Sequence, residues 1–287
     1  MKISAIIDGI STDCRTICEV MNETGVKYAE FQSCSGKRIE ENTLDEARAY
    51  KALIDAYGIT ASCVTTHAFA GVPIGALEVG DETYQHHMGL LKNGIEIARI
   101  LGCKQVRTMC FTKTIVTFGK NGADKWNANN NQAWPKFLAL FAPVAKLAEE
   151  EDIDILIEPC FNSMITSCWL FKKLVEDLGC KRIKLLWDPC NNLYYQEYPT
   201  LDVYESIKPY LAHIHIKDAI IDPVRSTNEF RAIGTGMLAP YLLDLAAALR
   251  RDKYDGCISL ENVYRPEGKD FRDGYYTDIE TLKRIFG

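Results

Sequence analysis

No stretch of this sequence approaches the ~20 consecutive apolar residues that a bilayer span requires, so no transmembrane helix and no membrane association are expected. No Cys-x-x-Cys pair occurs among the 11 cysteines, which excludes a paired-knuckle zinc ribbon. Basic residues are outnumbered, 33 Lys and Arg against 39 Asp and Glu, for a net charge of -6. Nucleic-acid binding normally rests on Lys and Arg neutralising phosphates, so no nucleic-acid partner is expected. No glycine-rich turn follows the first candidate strand, where Ile7-Asp8-Gly9-Ile10-Ser11 stands instead, which disfavours a doubly wound dinucleotide fold. Linkers, internal repeats and low-complexity tracts are absent, and histidine is scarce at 5 residues.

What is present is a globular composition, 47% hydrophobic and 25% charged, over 287 residues. The odd number of cysteines reads as reduced thiols packed like small hydrophobes, with a redox or disulfide role as the alternative. Met1–Asp8 is too soon interrupted by charge to serve as a signal peptide, and a cytoplasmic location is the expectation.

Short β-rich segments alternate with helical ones along the whole chain. Strands are predicted over Ile3–Ile7, Tyr28–Phe31, Thr60–Thr66, Gln105–Cys110, Ile153–Glu158, Ile183–Asp188, Leu211–Ile216 and Cys257–Glu261. Helical periodicity is clearest over Thr43–Tyr57, Tyr84–Leu101, Gln132–Glu150, Thr166–Leu178 and Pro240–Arg251, with Tyr276–Phe286 as the last helix. Gly58, Gly102 and Gly179 each follow a helix, while Thr43 and Asp202 suit N-caps. Eight such units close most economically into one (β/α)8 TIM barrel, a single α/β domain over residues 1–287. The long irregular stretch 111–131, after the fourth strand, would lie at the mouth as a lid or as a disordered insertion.

Barrel chemistry sits at the C-terminal ends of the strands. Four consecutive strands here finish on a carboxylate or an imidazole: Ile157-Glu158, Trp187-Asp188, His213-Ile214-His215-Ile216-Lys217 and Leu260-Glu261. Strand alternation puts His213, His215 and Lys217 on one face, with Ser259 and Glu261 inward on the last strand. Glu158, Asp188, His215 and Glu261 thus make a set of three carboxylates and one imidazole. It suits one divalent metal ion, Mn2+ favoured over Mg2+, Co2+ or Zn2+. Such an ion would polarise a carbonyl and hydroxyl pair, with the two glutamates as base and acid on a substrate carbon.

The chain resembles the sugar phosphate isomerase/epimerase superfamily, the xylose isomerase-like barrels. These include ketose 3-epimerases, inosose dehydratases and isomerases, dehydroshikimate dehydratases and, distantly, endonuclease IV. The resemblance is carried by Ile95–Cys103, Ile157-Glu158-Pro159, Trp187-Asp188-Pro189, His213–Asp218, Gly234-Thr235-Gly236 and Gly256–Glu261. It implies Glu158, Asp188, His215 and Glu261 as ligands of one divalent metal, and Glu158 with Glu261 as the catalytic acid–base pair. Two departures matter. Asn191 stands where 3-epimerases and endonuclease IV carry a third-position histidine, which argues against a multi-zinc phosphodiesterase. The epimerases' arginine after the H-x-H is replaced by the span Lys217–Ile221, with Arg225 further on, which puts a ketohexose 3-epimerase proper in doubt.

His67, Asn191 and Lys217 are candidate substrate-binding residues. His67 has a structural role as its alternative, and Lys217 has pairing with a ligand carboxylate. His86 and His87 read as surface residues, His213 as a hydrogen-bonded core residue, and Trp126, Tyr194 and Tyr195 as mouth-side aromatics that stack on a sugar or pack. The expected partner is a small carbohydrate, and barrels of this family often form homo-oligomers. The expected function is a metal-dependent isomerase or epimerase of a sugar, sugar phosphate or keto-polyol. The alternatives are a lyase on the same site (dehydratase or glycoside-cleaving β-elimination), an endonuclease IV-like enzyme and a non-catalytic sugar-binding subunit.

Overall fold

The structure, a computed structural model, describes residues 1–75, 77–113, 133–222, 224–225 and 227–287. Eight strands form a closed barrel: β1 (Lys2–Ile6), β2 (Tyr28–Phe31), β3 (Thr60–Thr65), β4 (Gln105–Thr108), β5 (Asp154–Ile157), β6 (Ile183–Trp187), β7 (Leu211–Ile216) and β8 (Cys257–Leu260). All neighbours are parallel, and β8 closes on β1 with Ser259 opposite Ser4. Eight longer helices accompany them among the described residues, besides the short helix Pro189–Asn192 after β6: α1 (Cys14–Glu23), α2 (Leu44–Ala56), α3 (Glu82–Leu101), α4 (Ala133–Glu150), α5 (Cys168–Leu178), α6 (Leu201–Ile207), α7 (Leu242–Arg251) and α8 (Phe271–Phe286). The TIM barrel expected from the alternation is therefore what the chain forms. The proposed 111–131 lid, Trp126 included, lies beyond Lys113 and outside the described residues.

Local rules account for most boundaries. Thr43 caps α2, its hydroxyl accepting from the Glu46 amide while Glu46 reaches back to the Thr43 amide. Gly102 and Gly179 end α3 and α5 at φ of 77° and 66°, a backbone state that costs a side-chain-bearing residue energy. Three sequence expectations need correction. Asp202 is not the cap of α6; Thr200 holds that position, and Asp202 sits in the first turn, where a carboxylate favours the positive end of the helix dipole. The last helix starts at Phe271, because Asp270 and Asp273 form a capping box there. Helix α1 was missed, although Asp13 accepts from the Thr16 amide at 2.8 Å as its N-cap. Its buried residues are Cys14, Ile17, Cys18, Val20 and Met21, a full helical stripe only if cysteine is counted as apolar.

The large apolar core fills the layer between strands and helices. A small second cluster, Cys63, Leu156 and Leu186, lies on the opposite strand faces and plugs the barrel interior. Each is two residues below a polar side chain of the same face: Thr65, Glu158 and Asp188. The interior therefore changes from apolar to charged toward the C-terminal strand ends, because strand side chains repeat every second residue. All 11 cysteines are free, and every one except the half-buried Cys160 is buried, as small hydrophobes would be. Among the described residues no helix is long and apolar enough to cross a membrane.

Beyond β7 the chain forms a two-stranded hairpin, Asp218–Asp222 against Thr227–Arg231. Asp218 clasps its base, with the carboxylate accepting from the amides of Gly234, Gly236 and Leu238 at 2.9–3.0 Å. A Cβ on Gly236 would come within 2.7 Å of the Ala219 carbonyl, so this turn requires glycine.

Candidate metal centre

Four side chains converge from the ends of β5, β6, β7 and β8. Donor atoms of Glu158, Asp188, His215 and Glu261 all lie within 4.8 Å of one another. His215 Nδ1 is 3.5 Å from Glu158 Oε1 and 3.3 Å from Glu261 Oε2. Each donor is aimed by a second contact. Asp188 caps the short helix Pro189–Asn192: its Oδ1 accepts from the amides of Cys190 at 2.8 Å and Asn191 at 3.3 Å. That leaves Oδ2 turned to the centre. Proline after this aspartate fits the first helical position, where no amide is needed.

The far side of His215 is fixed from β2. Glu30, fully buried, accepts from His215 Nε2 at 2.8 Å, from His213 Nε2 at 2.9 Å and from the Thr65 hydroxyl. An acceptor-only carboxylate puts a proton on Nε2 and directs Nδ1 toward the other three donors. The β2–β3 register shifts at Ala29/Glu30, the kind of irregularity that re-aims a side chain. His213 is thus a hydrogen-bonded residue of the interior, as its depth suggested.

Glu158 is held equally firmly. Arg107, buried on β4, donates from Nη1 to Glu158 Oε2 at 2.5 Å and from Nη2 to the Thr66 carbonyl at 3.1 Å. Asn191 Nδ2 donates to Glu158 Oε1 at 2.9 Å. Burial alone would raise the Glu158 carboxyl, but Arg107 and His215 outweigh it and hold it at about 2. Glu261 is the more open of the pair, its side chain 23% exposed, and Lys217 and His215 overcome its burial and also hold it low.

Lys217 reaches into the same group, its Nζ 2.8 Å from Glu261 Oε2 and 2.6 Å from Asp188 Oδ2. The approach to Asp188 lacks hydrogen-bond alignment, so Asp188 Oδ2 and His215 Nδ1 are both buried without a hydrogen-bond partner. Burial lifts Asp188 to about 7; Lys217 opposes the rise, while the charges of Glu261 and Glu158 reinforce it.

Glu158 and Glu261 floor a cavity of about 470 Å3 that is also lined by His67, Arg107, Asn191 and Lys217. His67 is half-buried at the end of β3, and burial first, then Arg107 and Arg38, lowers it to about 3, so it is a neutral imidazole there. The structure thus brings His67, Asn191 and Lys217 to one cavity with Glu158 and Glu261, two of the four donors. His87 departs from expectation. Its Nδ1 accepts from the Phe69 amide at 3.0 Å and its ring lies 5.5 Å from that of Phe69, so it braces the segment after β3; His86 is exposed.

Glu30, Arg107 and Asp218 were not found from the sequence. For the first two the available signal was a charge inside a predicted strand, Ala29-Glu30-Phe31 and Val106-Arg107-Thr108, on the inward parity.

Comparisons agree with this architecture. No curated protein sequence matches the chain. Among solved structures, the probable 3-DHS dehydratase AsbF of Bacillus anthracis superposes with a TM-score of 0.73 at 11% identity, covering 99% of both chains. D-psicose 3-epimerase of Clostridium cellulolyticum H10, solved with D-tagatose, gives 0.72 at 14% identity over 100% of this chain and 99% of that one. The E. coli 3-keto-D-glucoside 4-epimerase YcjR gives 0.71 at 17% identity over 98% and 99%. At such identities the likeness shows the fold alone. The family model described as xylose isomerase-like TIM barrel matches residues 18–285, and on that match the chain belongs to the xylose isomerase-like TIM barrel family.

Proposed function

We propose that this chain is a single-domain, divalent-metal-dependent isomerase or epimerase of a sugar or keto-polyol, working by glutamate-mediated proton transfer. The observation that carries the reading is the group of four donors from four adjacent strands within 4.8 Å, two of them with a buried atom that makes no hydrogen bond. Unpaired buried polar atoms are costly unless something else satisfies them. Three carboxylates and one imidazole match the donor preference of Mn2+ or Mg2+ more than the thiolate preference of structural zinc. Glu158, Asp188, His215 and Glu261 would hold the ion. A bound divalent ion supplies Lewis-acid polarisation of a carbonyl and its neighbouring hydroxyl.

The chain's own residues supply the rest. Asn191 and Lys217 bind and orient substrate hydroxyls beside Glu158 and Glu261, and neutral His67 hydrogen-bonds from the opposite wall. One ionised glutamate takes a proton from the carbon next to the carbonyl. In isomerisation that glutamate gives the proton back to the neighbouring carbon. In epimerisation the first glutamate keeps the proton it took, and the other, which must carry a proton of its own at that stage, delivers it to the opposite face.

The reading is tested by incubating a panel of ketoses and keto-polyols with the Mn2+-loaded protein in D2O. Exchange at a carbon next to the carbonyl is expected, reduced by a factor of about 10²–10⁴ in Glu158→Gln and in Glu261→Gln. Full metal loading with no exchange on any ketone would refute it. Loss of water or of a glycosidic substituent after exchange would assign a lyase on the same site.

A further inference from the structure

The cavity changes character with height. Above the charged floor its wall is formed by Phe161, Tyr194, Phe230 and Met109. Phe161 is 44% exposed and Phe230 37%, although both border a site crowded with charge. The Phe161 and Tyr194 rings lie 4.7 Å apart at 34°, a paired aromatic surface rather than a single stray side chain.

These aromatics come from three neighbouring strand ends: Phe161 after β5, Tyr194 after β6, and Phe230 on the hairpin after β7. All three segments are braced. The Tyr195 hydroxyl donates to the Phe161 carbonyl at 2.8 Å, and the Cys160 amide donates to the Ile165 carbonyl at 2.9 Å. Phe230 pairs with Ala219 in the hairpin whose base Asp218 clasps. A preformed apolar rim, continuous with a polar floor, offers aromatic surface in addition to the polar contacts a sugar needs, and at about 470 Å3 the cavity falls in the range of drug-sized ligands.

We infer that the rim of Phe161, Tyr194 and Phe230 is a subsite for an aromatic or other planar apolar substituent, so that the preferred ligand is a sugar bearing an aryl-type aglycone. The inference rests on the reading that the floor takes a sugar. The polyol part faces Glu158, Asn191, Lys217 and Glu261, and the planar group lies on the rim.

The test is calorimetric binding of paired methyl and phenyl β-D-glucosides, galactosides and xylosides to the full chain in saturating Mn2+. At least one phenyl member is expected to bind about tenfold tighter than its methyl partner, the gain from covering an aromatic ring. Phe161→Ala and Phe230→Ala are each expected to cut that ratio to about threefold or less, with methyl glycoside binding changed less than about twofold. Phe161→Leu, which keeps apolar area, should retain an intermediate ratio. Ratios near one in the wild type, no measurable binding of any pair, or ratios unmoved by both alanine variants would overturn the inference. A fall in oligomeric state caused by either variant, seen by sedimentation velocity, would also overturn it by assigning the rim to a second copy. Aryl preference without deuterium exchange on any ketone would keep the subsite and reject the proton-transfer reading; exchange without aryl preference would do the reverse.

Discussion

Removing Arg107 probes the centre most directly. Its guanidinium is buried and 2.5 Å from Glu158 Oε2, so Arg107→Met would leave a buried carboxylate facing only Asn191 and His215. At an effective dielectric of ~20, two charges at that separation attract by roughly 6–7 kcal/mol before desolvation is subtracted. Breaking a buried pair from one side costs ~3–5 kcal/mol in comparable cases. Linkage gives a similar figure. Glu158 falls from 4.5 to about 2 on folding, and each unit is ~1.4 kcal/mol, so the depressed carboxylate contributes roughly 3 kcal/mol at neutral pH. The sign is that of a lowered acid: the stabilisation is present above about 4.5 and is lost as pH falls through about 2. Urea unfolding of the metal-free protein at pH 7 should therefore show Arg107→Met less stable by about 3–5 kcal/mol. Glu158→Gln should be less damaging, and the double variant should be no worse than Arg107→Met alone. Because the carboxylate remains, Mn2+ should raise the stability of Arg107→Met more than that of the wild type. A loss below about 1 kcal/mol, or additive single-variant effects, would refute the view that Arg107 acts by pairing with Glu158.

Glu30→Gln can accept from only one of the two imidazoles, and its amide group forces a changed tautomer on the other. A loss of about 1–3 kcal/mol in metal-free stability is expected, with an altered imidazole 15N spectrum; unchanged nitrogen shifts would contradict the tautomer assignment. Asp278, buried on α8 and accepting from the Ile233 amide at 2.9 Å, is raised from 3.8 to about 7 by burial, with the Asp218 charge adding to the rise. A raised acid favours the fold below its unfolded value and loses that contribution as pH climbs to about 7. Asp278→Asn, which keeps the acceptor, should therefore gain on the wild type by about 2–3 kcal/mol more at pH 8 than at pH 5; denaturant midpoints whose difference does not vary with pH would contradict this.

Much of the barrel could be read from alternation and caps, since strand and helix periods differ and both are local. The four donors were legible for a related reason: each ends an apolar strand, and parity fixes which face it takes. Asp188-Pro189 even carries its own cap signal. What escaped depended on partners far away in the chain. Glu30 meets His215 across 185 positions and Arg107 meets Glu158 across 51, so nothing near either residue in sequence announces the contact. Helix α1 escaped for a different reason, because two of its five buried residues are cysteine.

The sequence alone therefore determined the alternation of elements, the closed parallel architecture and the inward parity of Glu158, Asp188, His215 and Glu261, all consequences of local periodicity. Only the tertiary structure decided what surrounds them: Glu30 orienting one imidazole nitrogen, Arg107 holding one glutamate ionised, Lys217 lying between two carboxylates, and an aromatic rim assembled from the segments that follow three strands. Charges and rings of this kind act through distances of a few ångströms, and barrel closure, which brings sequence-remote strands side by side, sets those distances.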